Sequence, residues 1–213
     1  MENLKQQIDE LNENLAKQLP PEILTAFGRS IKELKALGIE ESSIGIGERF
    51  PDFSLLNTKN EIVGLKELLK RGPVIVAFFR GNWCPYCNLE LKAMQDNLRE
   101  ITTTNSTLIA ISPQNTVHNE ELKGNYQLDF ELLTDNNNQL AKRLGISFRL
   151  QDAVIPVYDS LGIRLADYNG NDHNELPAPA VFVIDKDGCI TYKFVDTNYM
   201  NRINMRELIE QLG

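Results

Sequence analysis

Two cysteines three residues apart, Cys84 and Cys87, stand in the run Trp83-Cys84-Pro85-Tyr86-Cys87, just after the apolar, β-branched stretch Val74 to Phe79. The stretch reads as a buried strand, and Pro85 suits the first turn of a helix, where no N–H is needed. A helix N-terminus has unpaired N–H groups and about half a positive charge, which favours a thiolate over a thiol and so makes the first cysteine a nucleophile. The three-residue step places both sulfurs on one helix face, within reach of a disulfide. The chemistry this arrangement serves is dithiol–disulfide exchange.

The elements that must hold this pair are legible around it. Leu4, Ile8, Leu11, Leu15 and Leu19 form one apolar stripe of an amphipathic helix that Pro20-Pro21 ends. A second helix carries Ile23, Leu24, Phe27, Ile31, Leu34 and Leu37, with Gly38 as its stop. The resulting helical hairpin, residues 1–40, either packs on its own domain or makes a dimer contact. Residues 39–48 read as a polar, glycine-rich linker, and residues 41–213 as the redox domain.

From Phe50 onward strands and helices alternate. Strands are expected at 53–56, 62–63, 74–79, 108–111 and 130–133, with the cysteine helix running to Ile101 and a helix capped by Ser112 running to Asn125. This alternation implies a mostly parallel sheet covered on both faces. Residues 146–177 break the rhythm, and the polar run Asp167 to Glu175 is expected as a surface excursion walling the active site. A hairpin over Val181 to Val195 and a final helix over 201–212, capped by Asn198 or Asn201, complete the chain.

With 22 Lys and Arg against 30 Asp and Glu, the net charge is -8, and there is no basic cluster of the kind nucleic acid or an anionic membrane requires. The charged N-terminus and the lack of a long apolar run point to a cytoplasmic protein. Three cysteines argue against a secreted disulfide framework. The C-x-x-C supplies two of the four ligands a structural zinc needs, and the other soft ligands are Cys189, read as a packed small residue, and His118 and His173, read as solvated. No metal and no cofactor is expected. Phosphate-loop and dinucleotide-binding motifs are absent.

The block Ile44 to Phe194 resembles the alkyl hydroperoxide reductase and thiol-specific antioxidant branch of the thioredoxin superfamily. Gly47-Glu48-Arg49-Phe50-Pro51-Asp52-Phe53, Val74 to Phe79, and Phe182-Val183-Ile184-Asp185-Lys186-Asp187-Gly188 carry the likeness, and the chain looks most like peroxiredoxin-like proteins with a W-C-P-Y-C motif. The resemblance implies a thioredoxin-like α/β fold, a central mixed sheet flanked by helices, with an N-terminal helical extension. Against the peroxiredoxin pattern P-x-x-x-T-x-x-C, Arg80 stands at the Pro, Cys84 at the Thr and Cys87 at the peroxidatic Cys, while Pro179 stands where a distant Arg belongs. Cys84, Cys87 and Pro179 match instead the attacking cysteine, resolving cysteine and cis-proline of thioredoxins.

The resemblance thus implies a thiol peroxidase in which Cys87 attacks hydrogen peroxide or an organic hydroperoxide and Cys84 resolves the sulfenic acid, an external thioredoxin or glutathione system restoring the dithiol. Arg80 either supplies the cation for thiolate and oxyanion or is an ordinary solvated arginine. Trp83 and Tyr86 form a rim for substrate or cover the sheet end. The alternatives are a disulfide reductase with Cys84 as nucleophile and Pro179 orienting the substrate, and a non-catalytic thioredoxin-fold binding protein. Attachment of the hairpin ahead of the redox domain suggests a homodimer.

Overall fold

The computed structural model describes residues 3–212. Two long helices open the chain, α1 (Leu4–Gln18) and α2 (Pro21–Lys35), followed by the single turn α3 (Ile39–Ser42). Then come β1 (Ser54–Asn57), β2 (Ile62–Gly64), α4 (Leu65–Leu69), β3 (Val74–Phe78), α5 (Pro85–Asp96), α6 (Leu98–Thr103), β4 (Thr107–Ser112), α7 (Thr116–Tyr126) and β5 (Glu131–Thr134). A 3₁₀ turn (Asn136–Asn138) leads into α8 (Gln139–Arg143), β6 (Ser147–Arg149), α9 (Ile155–Ser160), α10 (Leu165–Asn169), β7 (Glu175–Pro177), β8 (Ala180–Ile184), β9 (Ile190–Val195) and α11 (Met205–Glu210).

Seven strands form one sheet in the order β2-β1-β5-β4-β3-β8-β9, and β6 pairs with β7 apart from it. Only β3 with β4 and β4 with β5 run parallel; the other four pairings are antiparallel, so the sheet is mixed rather than mostly parallel. Hairpins account for β1–β2 and β8–β9, and the inner strand of each hairpin, β1 and β8, also runs antiparallel to the parallel trio it joins. Strand β3 is central, and all five of its residues are buried. Its side chains alternate: Val74, Val76 and Phe78 enter one core, with Phe50, Ile109 and Phe182, while Ile75 and Ala77 enter the other, with Leu91, Met94 and Ile101 of the cysteine-side helices. Apart from Ala77, each of these side chains contributes about 1.5–3 kcal/mol of burial, which fixes the strand's end where the site begins.

The N-terminal stripe is turned inward on its own chain. Leu4 and Ile8 are buried in the core that holds both cysteines, and Leu11 and Leu15 pack against that core, so this stripe of the hairpin packs on its own domain. The expected linker is ordered structure instead: Ile39 is buried, Thr197 donates to Glu40 Oε1 at 2.6 Å, and Lys193 Nζ donates to the Glu40 and Ser43 carbonyls. The α7 cap is Asn115, whose side chain accepts from the His118 N–H, because Ser112 is still held in β4 opposite Thr134. Likewise Asn204 caps α11. Among the described residues no helix is long and apolar enough to cross a membrane.

Candidate active site

Cys84 is the N-cap of α5 and Pro85 its first residue. The turn that delivers it is built from backbone: Cys84 N–H donates to the Gly81 carbonyl at 3.1 Å, and Asn88 N–H to the Cys84 carbonyl at 3.1 Å. Gln114 Oε1 accepts the Asn82 N–H, and Asn88 Nδ2 donates to the Asn82 carbonyl, both at 2.8 Å. Gly81 is required by close approach, since a Cβ there would land on the Trp83 indole nitrogen. The two sulfurs lie 2.8 Å apart, the Cys87 thiol donating to Cys84, and both residues are 0% exposed.

Two guanidiniums address this pair, one four residues ahead of Cys84 and one 115 residues beyond Cys87. Arg80 donates through Nη2 to Cys84 Sγ at 3.3 Å and through Nη1 to the Tyr158 hydroxyl at 3.0 Å. At 4% exposure it is no solvated arginine, and its guanidinium lies 4.0 Å from the Tyr199 ring centroid and 5.1 Å from that of Trp83. Arg202 donates through Nη2 to Cys87 Sγ at 3.4 Å and through Nη1 to Glu90 Oε2 at 2.7 Å. Glu90 also accepts from the Ile203 N–H, so the ion pair is closed off from water.

These contacts separate the two thiols. Burial pushes Cys84 up, but the Cys87 thiol proton, the charges of Arg80 and Arg202 and the Arg80 hydrogen bond overcome it and hold Cys84 well below the ordinary thiol value. Burial, reinforced by the hydrogen bond to Cys84 and by that neighbour's charge, holds Cys87 well above it. Burial raises Glu90 against the opposing charge of Arg202. The arrangement favours a thiolate at Cys84 beside a protonated thiol at Cys87.

Beside the pair lies a cavity of about 520 Å³ lined by Arg80, Trp83, Pro85, Tyr86, Tyr158 and Tyr199 on the redox side and by α1 and α2 on the other. Trp83 packs edge-on against Tyr158 at 5.5 Å and lies 6.4 Å from Tyr168, so the 146–177 segment walls the site through α9 and α10. Tyr86 donates its hydroxyl to Asn12 Oδ1 at 2.6 Å, which ties α1 to the cysteine helix. Trp83 and Tyr86 thus border the cavity as well as covering the sheet end.

Pro179 departs from expectation. No peptide bond among the described residues is cis, so Ala178–Pro179 is trans; the proline is buried in extended chain between β7 and β8 and does not line the cavity. Its place there follows from Ala178, whose N–H is bound to the Ile146 carbonyl, and from Ala180, paired with Phe78. Arg202 and Tyr158 escaped the sequence reading, being 115 and 74 residues from the sulfurs they serve, in segments without periodicity. The available signal was Glu90, an acid three residues after Cys87 on the buried face of α5, which demands a cation. Among the described residues no group of three or more His, Cys, Asp or Glu side chains could hold a metal; His118 pairs with Glu121, His173 is exposed, and Cys189 is half-buried beside β9.

Residues 46–193 match the model of the AhpC/TSA family. The putative chloroplastic peroxiredoxin Q of Oryza sativa subsp. indica is 27% identical over 146 residues, 68% of this chain and 57% of the relative, so the match spans little more than half of that protein's length. In fold, the chain is similar to the peroxidoxin BcpB of Mycobacterium tuberculosis (TM-score 0.62, 18% identity, 79% of this chain and 96% of that one). It is also similar to peroxiredoxin 6 of Arenicola marina (TM-score 0.65, 18% identity, 79% and 72%).

Proposed function

Because the chain belongs to the AhpC/TSA family, we propose that it is a thiol peroxidase in which Cys84 attacks the peroxide and Cys87 resolves. The observation that carries this reading is a Cys84 sulfur favoured as a thiolate and held by the Arg80 guanidinium, a residue that itself lines a cavity of small-molecule size.

The Cys84 thiolate attacks one oxygen of the peroxide, the O–O bond breaks, and the other oxygen leaves as hydroxide or alkoxide and takes a proton from water. Arg80, already donating to Cys84 Sγ, stabilises both the thiolate and the departing oxyanion. Cys84 is left as a sulfenic acid. The Cys87 sulfur then attacks Cys84, expelling the oxygen, which leaves as water with the Cys87 proton, and the disulfide forms. An external thiol reductant of the thioredoxin or glutathione kind supplies the two electrons that restore the dithiol. The order is the reverse of the one implied by aligning Cys87 with a peroxidatic cysteine, because the charges lower Cys84 and burial raises Cys87.

The same polarity would serve reduction of a small disulfide, the second reading. The two are separated by following hydrogen peroxide consumption with a thiol donor in wild type, Cys84→Ser and Cys87→Ser. Cys84→Ser is expected to lose activity. Cys87→Ser is expected to lose steady-state turnover yet accumulate a sulfenic acid on Cys84 that dimedone traps. A wild type inert to peroxide but active on disulfides overturns the peroxidase, and a trapped sulfenic acid on Cys87 in Cys84→Ser overturns the order.

A further inference from the structure

Three tyrosines line the cavity beside the sulfurs, Tyr86, Tyr158 and Tyr199. Tyr86 donates its hydroxyl proton to Asn12, and Tyr199 turns its ring face to the Arg80 guanidinium. Tyr158 is placed differently. Its hydroxyl oxygen accepts from Arg80 Nη1 at 3.0 Å, while Nη2 of the same planar fork donates to Cys84 Sγ at 3.3 Å. A hydroxyl that accepts still carries its own proton, and among the described residues no group takes it. Burial raises the phenol against the opposing charge of Arg80, so at neutral pH that proton is in place. The ring is buried and held: it meets Phe27 of α2 edge-on at 5.9 Å and Trp83 at 5.5 Å, and its residue's carbonyl accepts from the Leu161 and Ile163 N–H groups in the turn after α9. A sulfur favoured as a thiolate and an O–H with nothing to donate to thus share the two arms of one guanidinium.

We propose that Tyr158 is a catalytic residue of the peroxidase reaction, donating its hydroxyl proton to the oxygen that leaves as the O–O bond breaks. The proposal rests on the peroxidase reading. A peroxide laid along the fork puts one oxygen against Cys84 Sγ and the other against the Tyr158 hydroxyl. The sulfur bonds to the near oxygen, which keeps its hydrogen. The O–O electron pair passes to the far oxygen, which takes the phenolic proton and leaves as water or an alcohol. Cys84 is then a sulfenic acid and Tyr158 a phenolate that water reprotonates, so water remains the source of the proton and the tyrosine passes it on. The negative charge moves from sulfur to phenolate between the two arms of Arg80, and the guanidinium keeps an anionic partner until that reprotonation. A positioned acid contributes about 10²–10⁴-fold in steps where a strong base must leave.

Tyr158→Phe removes the hydroxyl and keeps the ring. Two oxidants then separate the possible roles of the hydroxyl: hydrogen peroxide, whose leaving group is hydroxide, and peracetic acid, whose leaving group is acetate, a weak base that departs without a proton. The rate constant for oxidation of the reduced full chain by each is read from the loss of free thiol and from the emission of Trp83, the one tryptophan in the sequence, which packs against Tyr158. Tyr158→Phe is expected to slow oxidation by hydrogen peroxide about a hundredfold, while oxidation by peracetic acid stays within about threefold of wild type. The peracetic acid arm also establishes that the variant is folded with its nucleophile intact. Equal slowing with both oxidants overturns the proposal, because the hydroxyl then acts only through Arg80 on the thiolate. An unchanged rate with hydrogen peroxide overturns it as well and leaves the peroxidase reading standing. A wild type that hydrogen peroxide does not oxidise overturns the peroxidase reading and this role with it.

Discussion

Arg80 shows how much of the chemistry one side chain carries, since it meets a sulfur, a phenol and two aromatic faces while almost wholly buried. Arg80→Met keeps the length and removes the charge. The Cys84 thiol is then expected to ionise at higher pH, and alkylation by iodoacetamide at neutral pH to slow by about tenfold. A pH profile of alkylation rate in the two proteins checks this. At this scale the sequence was informative where chemistry is local. Cys84, Pro85 and Cys87 mark a cysteine pair at a helix start by spacing alone, and Arg80, Trp83 and Tyr86 lie within four residues of it. Arg202 was illegible because its partner Cys87 is distant in the chain, and nothing near it requires a cation.

The turn between β3 and α5 is where strand and helix are joined to make the site, and it has no spare room. A methyl group at Gly81 meets the indole of Trp83, so Gly81→Ala is expected to destabilise the protein by about 1–3 kcal/mol. It should also displace Trp83, read as a shift in the wavelength of its emission alongside a urea unfolding curve. Elements with a repeating pattern were legible: the stripe Leu4, Ile8, Leu11, Leu15 gives α1, and the run from Val74 gives β3. Elements held by single tertiary contacts were not. Helix α3 hides in a polar stretch because its order comes from Ile39 entering the core and Glu40 reaching Thr197. The β6–β7 pair joins Ser147–Arg149 to Glu175–Pro177 across a segment with no alternation of its own.

Over the whole molecule the separated thiols link folding to pH. A group whose folded pKa lies below its unfolded value, as for Cys84, has lost its proton in the native state while the unfolded chain still holds one. Stability then rises with pH between the folded value and the unfolded thiol value of about 8.5, and is lost as pH falls through that window. Above it, Cys87, raised in the fold, works in the opposite direction. The reduced wild type is therefore expected to gain in thermal midpoint relative to Cys84→Ser as pH rises toward about 8.5, and to lose that gain in acid. Calorimetry across pH under reducing conditions checks the sign. The global fold was legible as α/β with a central mixed sheet and an N-terminal helical extension, the mixed sheet through the family resemblance, while the order of the strands was not, because alternating elements do not state which sheet edge each strand joins.

The buried pair Arg202–Glu90 bears on the turnover cycle through electroneutrality. In the reduced protein the charges of Arg80 and Arg202 are balanced by Glu90 and the Cys84 thiolate. Disulfide formation removes the thiolate, while neither guanidinium can give up a proton in compensation. On the proposed cycle the oxidised site is left with one positive charge in excess, and that imbalance biases the couple toward the dithiol.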